Sequence, residues 1–460
     1  MSTPAAEVVQ PKRTPSLAVR LDRVPIGPFH RKLLFLIGAG LLVDGFDVYL
    51  TAGISAALVR QAVADLHHIA YLAMSTAIGL GVGGLIFGGL GDRIGRRRTM
   101  QWTLLLVTLG SLAAAMSATF PQLLAWRFLS CLGLGGETVL GYATLSEFLP
   151  PQWRGRWAAR LGLIANLGVP LGLFIGYFVL PQPSGWRAML AIPGFAAAVV
   201  FFFRLQLVES PRWLASRGRE AQAEAIVRNI EATAPPDSSR SPSRTTGERI
   251  EGDVASQAAG EARGSLLDAA HRGRLAVAIA INIAIMCAVF GFVSWLPTFF
   301  AASGQSVAKS VVFAGVMAVG APAGTLAGML ITDRVERKWG VIATSLLAVV
   351  FGVIYAFAKT PAAILGIGFL DVTVLYAFGT LGLVGYVPEL FPTGLRMRAV
   401  GLTATIGRLV VMFLPLIIVP VFCAKGQAGV ISLIGLILLI ETAIVLRWGV
   451  YTKGRSLESI

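Results

Sequence analysis

Twelve apolar blocks, each of about 18 residues or more, recur along this chain, and each is long enough to cross a bilayer as a helix. They run approximately over 33–53, 70–90, 100–118, 122–146, 157–180, 188–207, 275–299, 310–331, 340–358, 362–387, 399–421 and 428–447. In hydrocarbon every backbone N–H and C=O must be paired within the chain, so blocks of this kind are confined to the α-helix. The expected fold class is all-α integral membrane, with twelve transmembrane helices. Of 460 residues, 55% are hydrophobic and 14% charged, far from a soluble average. Roughly thirty polar and basic residues precede span 1, which does not fit a cleaved signal peptide.

The net charge of +15 could suggest a nucleic-acid partner, but its distribution points elsewhere. Arg and Lys cluster before span 1, after spans 2, 4, 6, 8 and 10, and after span 12. The other connections carry only Arg60, Arg187, Lys309, Lys359 and Lys425. That alternation predicts an even number of spans and both termini in the cytoplasm, for a multi-pass protein of the cell inner membrane. The partners expected are the lipid bilayer and no nucleic acid. Cys131, Cys287 and Cys423 fall in or at the end of spans, so no disulfide framework is implied. His67-His68 reads as a solvated loop pair. No metal, cofactor or catalytic constellation is indicated, and the chain is not read as an enzyme.

A polar segment over 208–272 divides the spans six and six. Its middle, TAPPDSSRSPSRTTGERIEGDVASQAAGEARGS, has too few large apolar residues to fold alone and reads as disordered. ESPRWLASRGREAQAEAIVRNIEA before it reads as an amphipathic helix. The expected organisation is a cytoplasmic tail (1–32), a six-helix bundle (33–207), a cytoplasmic linker (208–272), a second bundle (273–447) and a C-terminal tail (448–460). The halves echo each other. EFLPPQWRG after span 4 and ELFPTGLRM after span 10 place Glu147, Pro150, Arg154 and Glu389, Pro392, Arg396 at one spacing, 242 residues apart. GGLGDRIGRRR and GMLITDRVERK place Asp92 and Asp333 241 apart. Two motifs at nearly one offset indicate an internal duplication, an architecture shared by many secondary transporters.

GGLGDRIGRRR resembles the loop pattern G-x-x-x-D-R-x-G-R-R of the major facilitator superfamily, as Gly88, Asp92, Arg93, Gly95, Arg96 and Arg97. ESPRWL and the Glu-Pro-Arg elements resemble metabolite:proton symporters related to sugar porters. RLDRVPIGPFHRKLLFLIGAGLLVDGFDVYL is similar to the start of niacin-type and aromatic-acid:proton symporters. The resemblance covers the chain outside the linker, although Met329 and Glu336 replace expected glycines in the second loop. It implies alternating access, a monomer, and gating by Gly88, Asp92, Arg93, Arg97, Asp333 and Arg334 at the cytoplasmic face. Glu147 with Arg154, and Glu389 with Arg396, are expected to act similarly as pairs.

Charges inside the spans are the residues most in need of a role. Asp44 lies about 16 Å into span 1, near the midplane, and Asp47 about 4–5 Å further. Their i,i+3 spacing puts both on one face, looking together into a central cavity. A carboxylate in a low-dielectric site holds its proton more tightly, so at least one of the two is expected to carry the coupled proton, with a preference for Asp47. The resemblance assigns proton coupling to an aspartate pair at this place. Arg408, roughly 14 Å into span 11, has a planar fork suited to a carboxylate, and niacin-type carriers resemble this chain in having arginine there. Arg408 is therefore the expected anchor for an anionic substrate, with Asn166 as its counterpart 242 residues earlier. Asp371, at similar depth in span 10, is expected among the substrate-binding residues, and Glu137, near the middle of span 4, among those of proton coupling. For Arg127, proton transfer, holding Glu137 and direct substrate contact are all open. Tyr49, Tyr142, Tyr177, Trp295 and Tyr376 are candidates for lining a flat ligand. The glycines of GLGVGGLIFGGLG follow no strand and suit close helix approach. The reading is a proton-coupled importer of a small organic anion, an aromatic or heteroaromatic monocarboxylate. The alternatives are a carrier of a sugar, polyol or organic cation, an exporter, or a receptor that moves nothing.

Overall fold

A computed structural model describes residues 17–452 apart from 62, 235–265, 267, 303, 333 and 392. The linker middle expected to be disordered lies, from 235 to 265, outside these residues, as do Asp333 and Pro392. Among the described residues there is no strand. The first half holds α1 (Leu17–Arg23), α2 (Pro28–Arg60), α3 (Leu66–Ile94), α4 (Arg96–Ala115), α5 (Phe120–Phe148), α6 (Pro151–Val179) and α7 (Gly185–Arg204). Two short helices follow, α8 (Pro211–Ser216) and α9 (Glu220–Ala232). The second half holds α10 (Ala269–Gly291), α11 (Leu296–Ala302), α12 (Val307–Ala318), α13 (Gly320–Thr332), α14 (Arg337–Ala356), α15 (Pro361–Gly379) and α16 (Thr393–Trp448).

Local chemistry sets the helix ends. At the start of α3 the Asp65 side chain accepts from the His68 backbone N–H at 2.8 Å. At the start of α12 the Ser306 hydroxyl accepts from the Lys309 N–H at 3.3 Å. Thr119 and Gln122 form a capping box at the start of α5. Gly95, at φ 102°, turns the chain sharply between α3 and α4.

Among the described residues, ten helical stretches are individually long and apolar enough to cross a membrane. α4 opens on three arginines and is not among them, yet it packs against α5 and α7 as a full member of the bundle. The 56-residue α16 would be about 84 Å long at 1.5 Å per residue, far beyond one bilayer crossing. It is broken at Gly426, whose φ of 62° is not helical, into the two spans read from the sequence. The crossings are therefore twelve, in two bundles of six.

The duplication shows in packing as well as in motifs. In the first half α3 lies on α5, with Gly83 against the Leu132 carbonyl, where an added Cβ would come within 2.0 Å of the oxygen. In the second half α13 lies on α15, with Gly324 as close to the Thr373 carbonyl. Glycine lets backbones touch where lipid offers no competing attraction. Between the halves, α2 meets α11, α6 meets α12 and α13, and α3 meets α16.

Candidate functional site

Asp44 and Asp47 share a face of α2, but they meet different partners. Both oxygens of Asp47 accept from Arg127 Nη1, at 3.0 and 2.9 Å, and Arg127 Nη2 donates to Thr51 Oγ1 at 2.8 Å. The pair is fully buried, and the Arg127 fork ties α5 to α2. Asp44 instead accepts a hydrogen bond from the Thr138 hydroxyl, and its Oδ1 is buried with no partner. Asp44 lines a cavity of about 180 Å³ with Thr138, Gly135 and Leu80 from the first half and Met286, Phe290, Arg408 and Val411 from the second. Asp47 is not in that wall. The expectation that both carboxylates look into one cavity is corrected: Arg127 draws Asp47 aside.

Arg408 reaches this cavity from α16. Its Nη1 lies over Gly84 of α3, where a Cβ would come within 2.5 Å. Among the described residues nothing makes a hydrogen bond or ion pair with its side chain. A second space of about 50 Å³ shares Val48, Ala77, Phe290 and Val411 with the first. Its wall adds Trp295 and a set of hydroxyls from Thr51, Ser55, Thr76, Ser294 and Thr298. Trp295 stacks on Phe299, which stacks on Phe422.

Other expected residues lie elsewhere. Arg127 does not hold Glu137: ten residues apart on one helix, they are separated by about 15 Å of rise. Glu137 pairs with Arg204 of α7, both buried, and accepts from Thr103 at 2.9 Å. Arg204 also donates to the carbonyls of Leu36 and Ile37, at 2.9 and 3.1 Å. Asp371 lines a separate cavity in the second half, away from Arg408. Tyr49 and Tyr376 hydrogen-bond to each other across the halves, and Asn166 Nδ2 donates to Thr325 Oγ1 at 2.8 Å, also across them. Tyr142 lies against Gly162 outside both cavity walls, and Tyr177 packs on Phe178 at the outer surface.

At the end of the bundle bearing the basic loops, the expected pairs are rearranged. Glu147 pairs with Arg96 at 2.9 Å, not with Arg154, which reaches Asp22 at 3.3 Å. Asp92 also pairs with Arg96, at 2.6 Å, while Arg97 donates to the Leu205 carbonyl. The Arg93 carbonyl accepts from Arg217 at 3.2 Å, and a Cβ added at Gly88 would lie 3.5 Å from Val139, an ordinary contact. In the second half Glu389 pairs with Arg337 at 2.8 Å, not with Arg396, whose Nε and Nη2 are buried without a hydrogen bond. Arg337 stands 241 residues after Arg96, so one Arg–Glu link occurs in both halves. Spacing within one loop points to the wrong arginine, because the helix that follows each Glu carries its arginine away from it. Arg334 stands two residues beyond the end of α13, where its backbone N–H donates to the Ile331 carbonyl at 2.9 Å. Glu209 of ESPRWL, absent from the expected set, accepts from the Arg96 and Arg97 backbone N–H groups at 2.8 and 3.3 Å and so caps α4. The motif that carries the family resemblance was its signal.

Twelve membrane helices in two duplicated bundles, enclosing a charged cavity between them, define a secondary membrane transporter and not an enzyme. The chain belongs to the sugar (and other) transporter family, whose model matches residues 34–460. It is 31% identical over 446 residues to the inner membrane metabolite transport protein YdjE of Escherichia coli, covering 96% of this chain and 98% of that one. It is 28% identical over 456 residues to the niacin transporter NiaP of Acinetobacter baylyi, covering 96% and 99%. Among solved structures, the inward open conformation of the E. coli xylose transporter XylE aligns with a TM-score of 0.72 at 17% identity, covering 93% of this chain and 98% of that one. At that identity the likeness concerns the fold.

Proposed function

We propose that the chain is a proton-coupled importer of a small organic monocarboxylate with a flat, partly apolar body, working by alternating access. The observation that carries this reading is the placement of Arg408 and Asp44 in one cavity between the halves. Arg408 has donors to spare there, and a substrate carboxylate suits its fork. With Arg408 and Asp44 both charged the cavity is neutral. An anion entering alone would leave an uncompensated buried charge, which is costly. A proton on Asp44 removes that cost, so anion and proton bind together, one of each. Asp44, with an unengaged oxygen, is the carrier in place of the Asp47 preferred from the sequence, because Asp47 is already engaged by Arg127. Similarity to the niacin transporter NiaP supports an aromatic acid as cargo.

The Arg96–Glu147 and Arg337–Glu389 links, with Asp92, form and break as the halves rock. The basic loops lie in the cytoplasm with both termini, and the protein works as a monomer in the cell inner membrane. The six-helix halves occupy 33–207 and 273–447, joined by the cytoplasmic linker 208–272.

A second reading, transport of a sugar or polyol, is favoured by the hydroxyls of Thr51, Ser55, Thr76, Ser294 and Thr298 beside the charged cavity. Uptake of radiolabelled nicotinate, benzoate and xylose into proteoliposomes separates the two. An inward proton gradient should concentrate at least one of the acids, and Arg408→Ala should abolish its uptake. Asp44→Asn should leave exchange but not accumulation. Uptake of xylose alone would replace the anion reading with the sugar reading, and accumulation that ignores the gradient would remove proton coupling.

A further inference from the structure

The second half contains a cavity that is independent of Arg408. It holds about 540 Å³ between α14, α15, the last part of α16 and Phe292. Its walls are formed by Ala348 and Gly352 of α14, Phe357 just beyond that helix, Leu375 of α15, and Ile431 and Leu439 of α16 among others, nearly all apolar. The polar side chains of the wall are Ser432, whose hydroxyl donates to the Ala428 carbonyl at 2.8 Å, and Asp371. Asp371 is only 3% exposed, faces this space, and has an Oδ1 with no hydrogen-bond partner. No lysine, arginine or histidine stands in the wall. Val353, Phe357, Leu436 and Leu439 are about half exposed or more, on the surface that hydrocarbon covers in a bilayer. The cavity therefore opens sideways toward lipid.

Beyond it lies a second acidic group. Glu441 is buried, and its Oε2 accepts from Ser345 at 2.8 Å, while Thr442 donates to Ser345 Oγ at 3.1 Å. Ser345 is one helical turn from Ala348, and Glu441 one turn from Leu438, both wall residues. No ion pair from a basic side chain reaches either carboxylate among the described residues. Asp371 is the acidic group of the wall, and apart from Ser432 its other side chains are apolar.

We infer that this lateral cavity binds a hydrophobic ammonium ion, entering from the lipid with its charged head against Asp371 and its apolar body along α14 and α16. Complementarity sets the ligand class. An anion would meet the Asp371 carboxylate with no cation in the wall to offset it, and a neutral chain would leave Asp371 unpaired, where a buried polar group is costly. A primary ammonium supplies three donors, and its hydrocarbon chain matches the wall.

The full-length protein in lipid nanodiscs is photolabelled with two probes, a diazirine-bearing twelve-carbon primary amine and the matching alcohol. Mass spectrometry then locates the adducts. The amine should label peptides spanning 348–357 and 428–439 about tenfold more than the alcohol does. Asp371→Asn should remove that excess without changing alcohol labelling, and Asp371→Glu should keep it. In wild-type protein, unlabelled dodecylammonium should compete away the amine label, and dodecanol at the same concentration should not. Equal labelling by amine and alcohol, or equal competition by dodecanol, overturns the inference whatever the variants do. Those results would mean that the cavity takes lipid chains without regard to charge. Retention of the amine excess in Asp371→Asn overturns the role of Asp371.

Discussion

Arg127 holds Asp47 with one nitrogen and reaches Thr51 with another, so the carboxylate one turn beyond Asp44 is locked in an ion pair. Both groups are withdrawn from solvent, and a buried charge deprived of its partner costs about 3–5 kcal/mol. Arg127→Met and Asp47→Asn should each lower the thermal midpoint of the purified protein by that equivalent. The double variant Asp47→Asn/Arg127→Met should recover most of it, because neither charge is then left alone. Strictly additive losses in this cycle would mean that the two groups do not act as a pair.

Glu137 sits in the same half of the protein, but its pairing with Arg204 ties α5 and α7 to the carbonyls of Leu36 and Ile37. This is a helix-locking arrangement, and Glu137 is not itself in the cavity wall, although Gly135 and Thr138 on either side of it are. Arg204→Ala is expected to destabilise by about 3–5 kcal/mol. Glu137→Gln should lower the melting temperature while the protein that remains folded still accumulates substrate under a proton gradient. Loss of accumulation with unchanged stability would assign Glu137 to proton coupling.

The spans, the duplication and the buried charges are legible in the sequence because each depends on one local property: hydropathy, motif spacing, or a charge inside an apolar run. The partners of those charges are not. Asp44 and Asp47 share a face by helix geometry, yet which of them meets Arg127 depends on how α5 crosses α2. Proximity in sequence matches Glu147 to Arg154, whereas the fold brings in Arg96 from 51 residues away. Arg204 escapes notice because a single arginine after FFF reads as an interfacial anchor. Only the return of α7 against α2 buries it. Asp371 and Arg408 have similar depths in their spans, but depth does not fix which side of a helix a residue occupies.

At the end bearing the basic loops, α1 is held to α9 through Arg20, which binds Glu224 at 2.7 Å and Glu231 at 2.6 Å. Hydrogen bonds from Arg20, and then from Arg228, hold the Glu224 carboxyl below the usual range. A depressed carboxyl contributes stability that is present above its unfolded pKa of about 4.3 and is lost as pH falls through the lower folded value. Acidification from pH 7 to 5.5 should therefore leave hydrogen-exchange protection of 17–23 unchanged. Arg20→Ala should reduce that protection at both pH values. A loss of protection in wild type over this window would point to a different titrating group.

Gly84 is the place where the first half leaves room for the guanidinium of the second. A methyl group there would lie 2.5 Å from Arg408 Nη1, too close for the side chain to keep its position. Arg408 is flexible, so Gly84→Ala should displace it and not unfold the helix pair. If Arg408 anchors the substrate carboxylate, the apparent KM should rise about tenfold, or about 1.4 kcal/mol of lost binding, with a smaller change in maximal rate. Gly81→Ala provides the comparison: its methyl would come equally close to Met412 Cε and would not touch Arg408. It should leave KM within about twofold. A matching KM increase in both variants would mean that crowding between α3 and α16 is responsible. An unchanged KM in Gly84→Ala would remove Arg408 from the binding site.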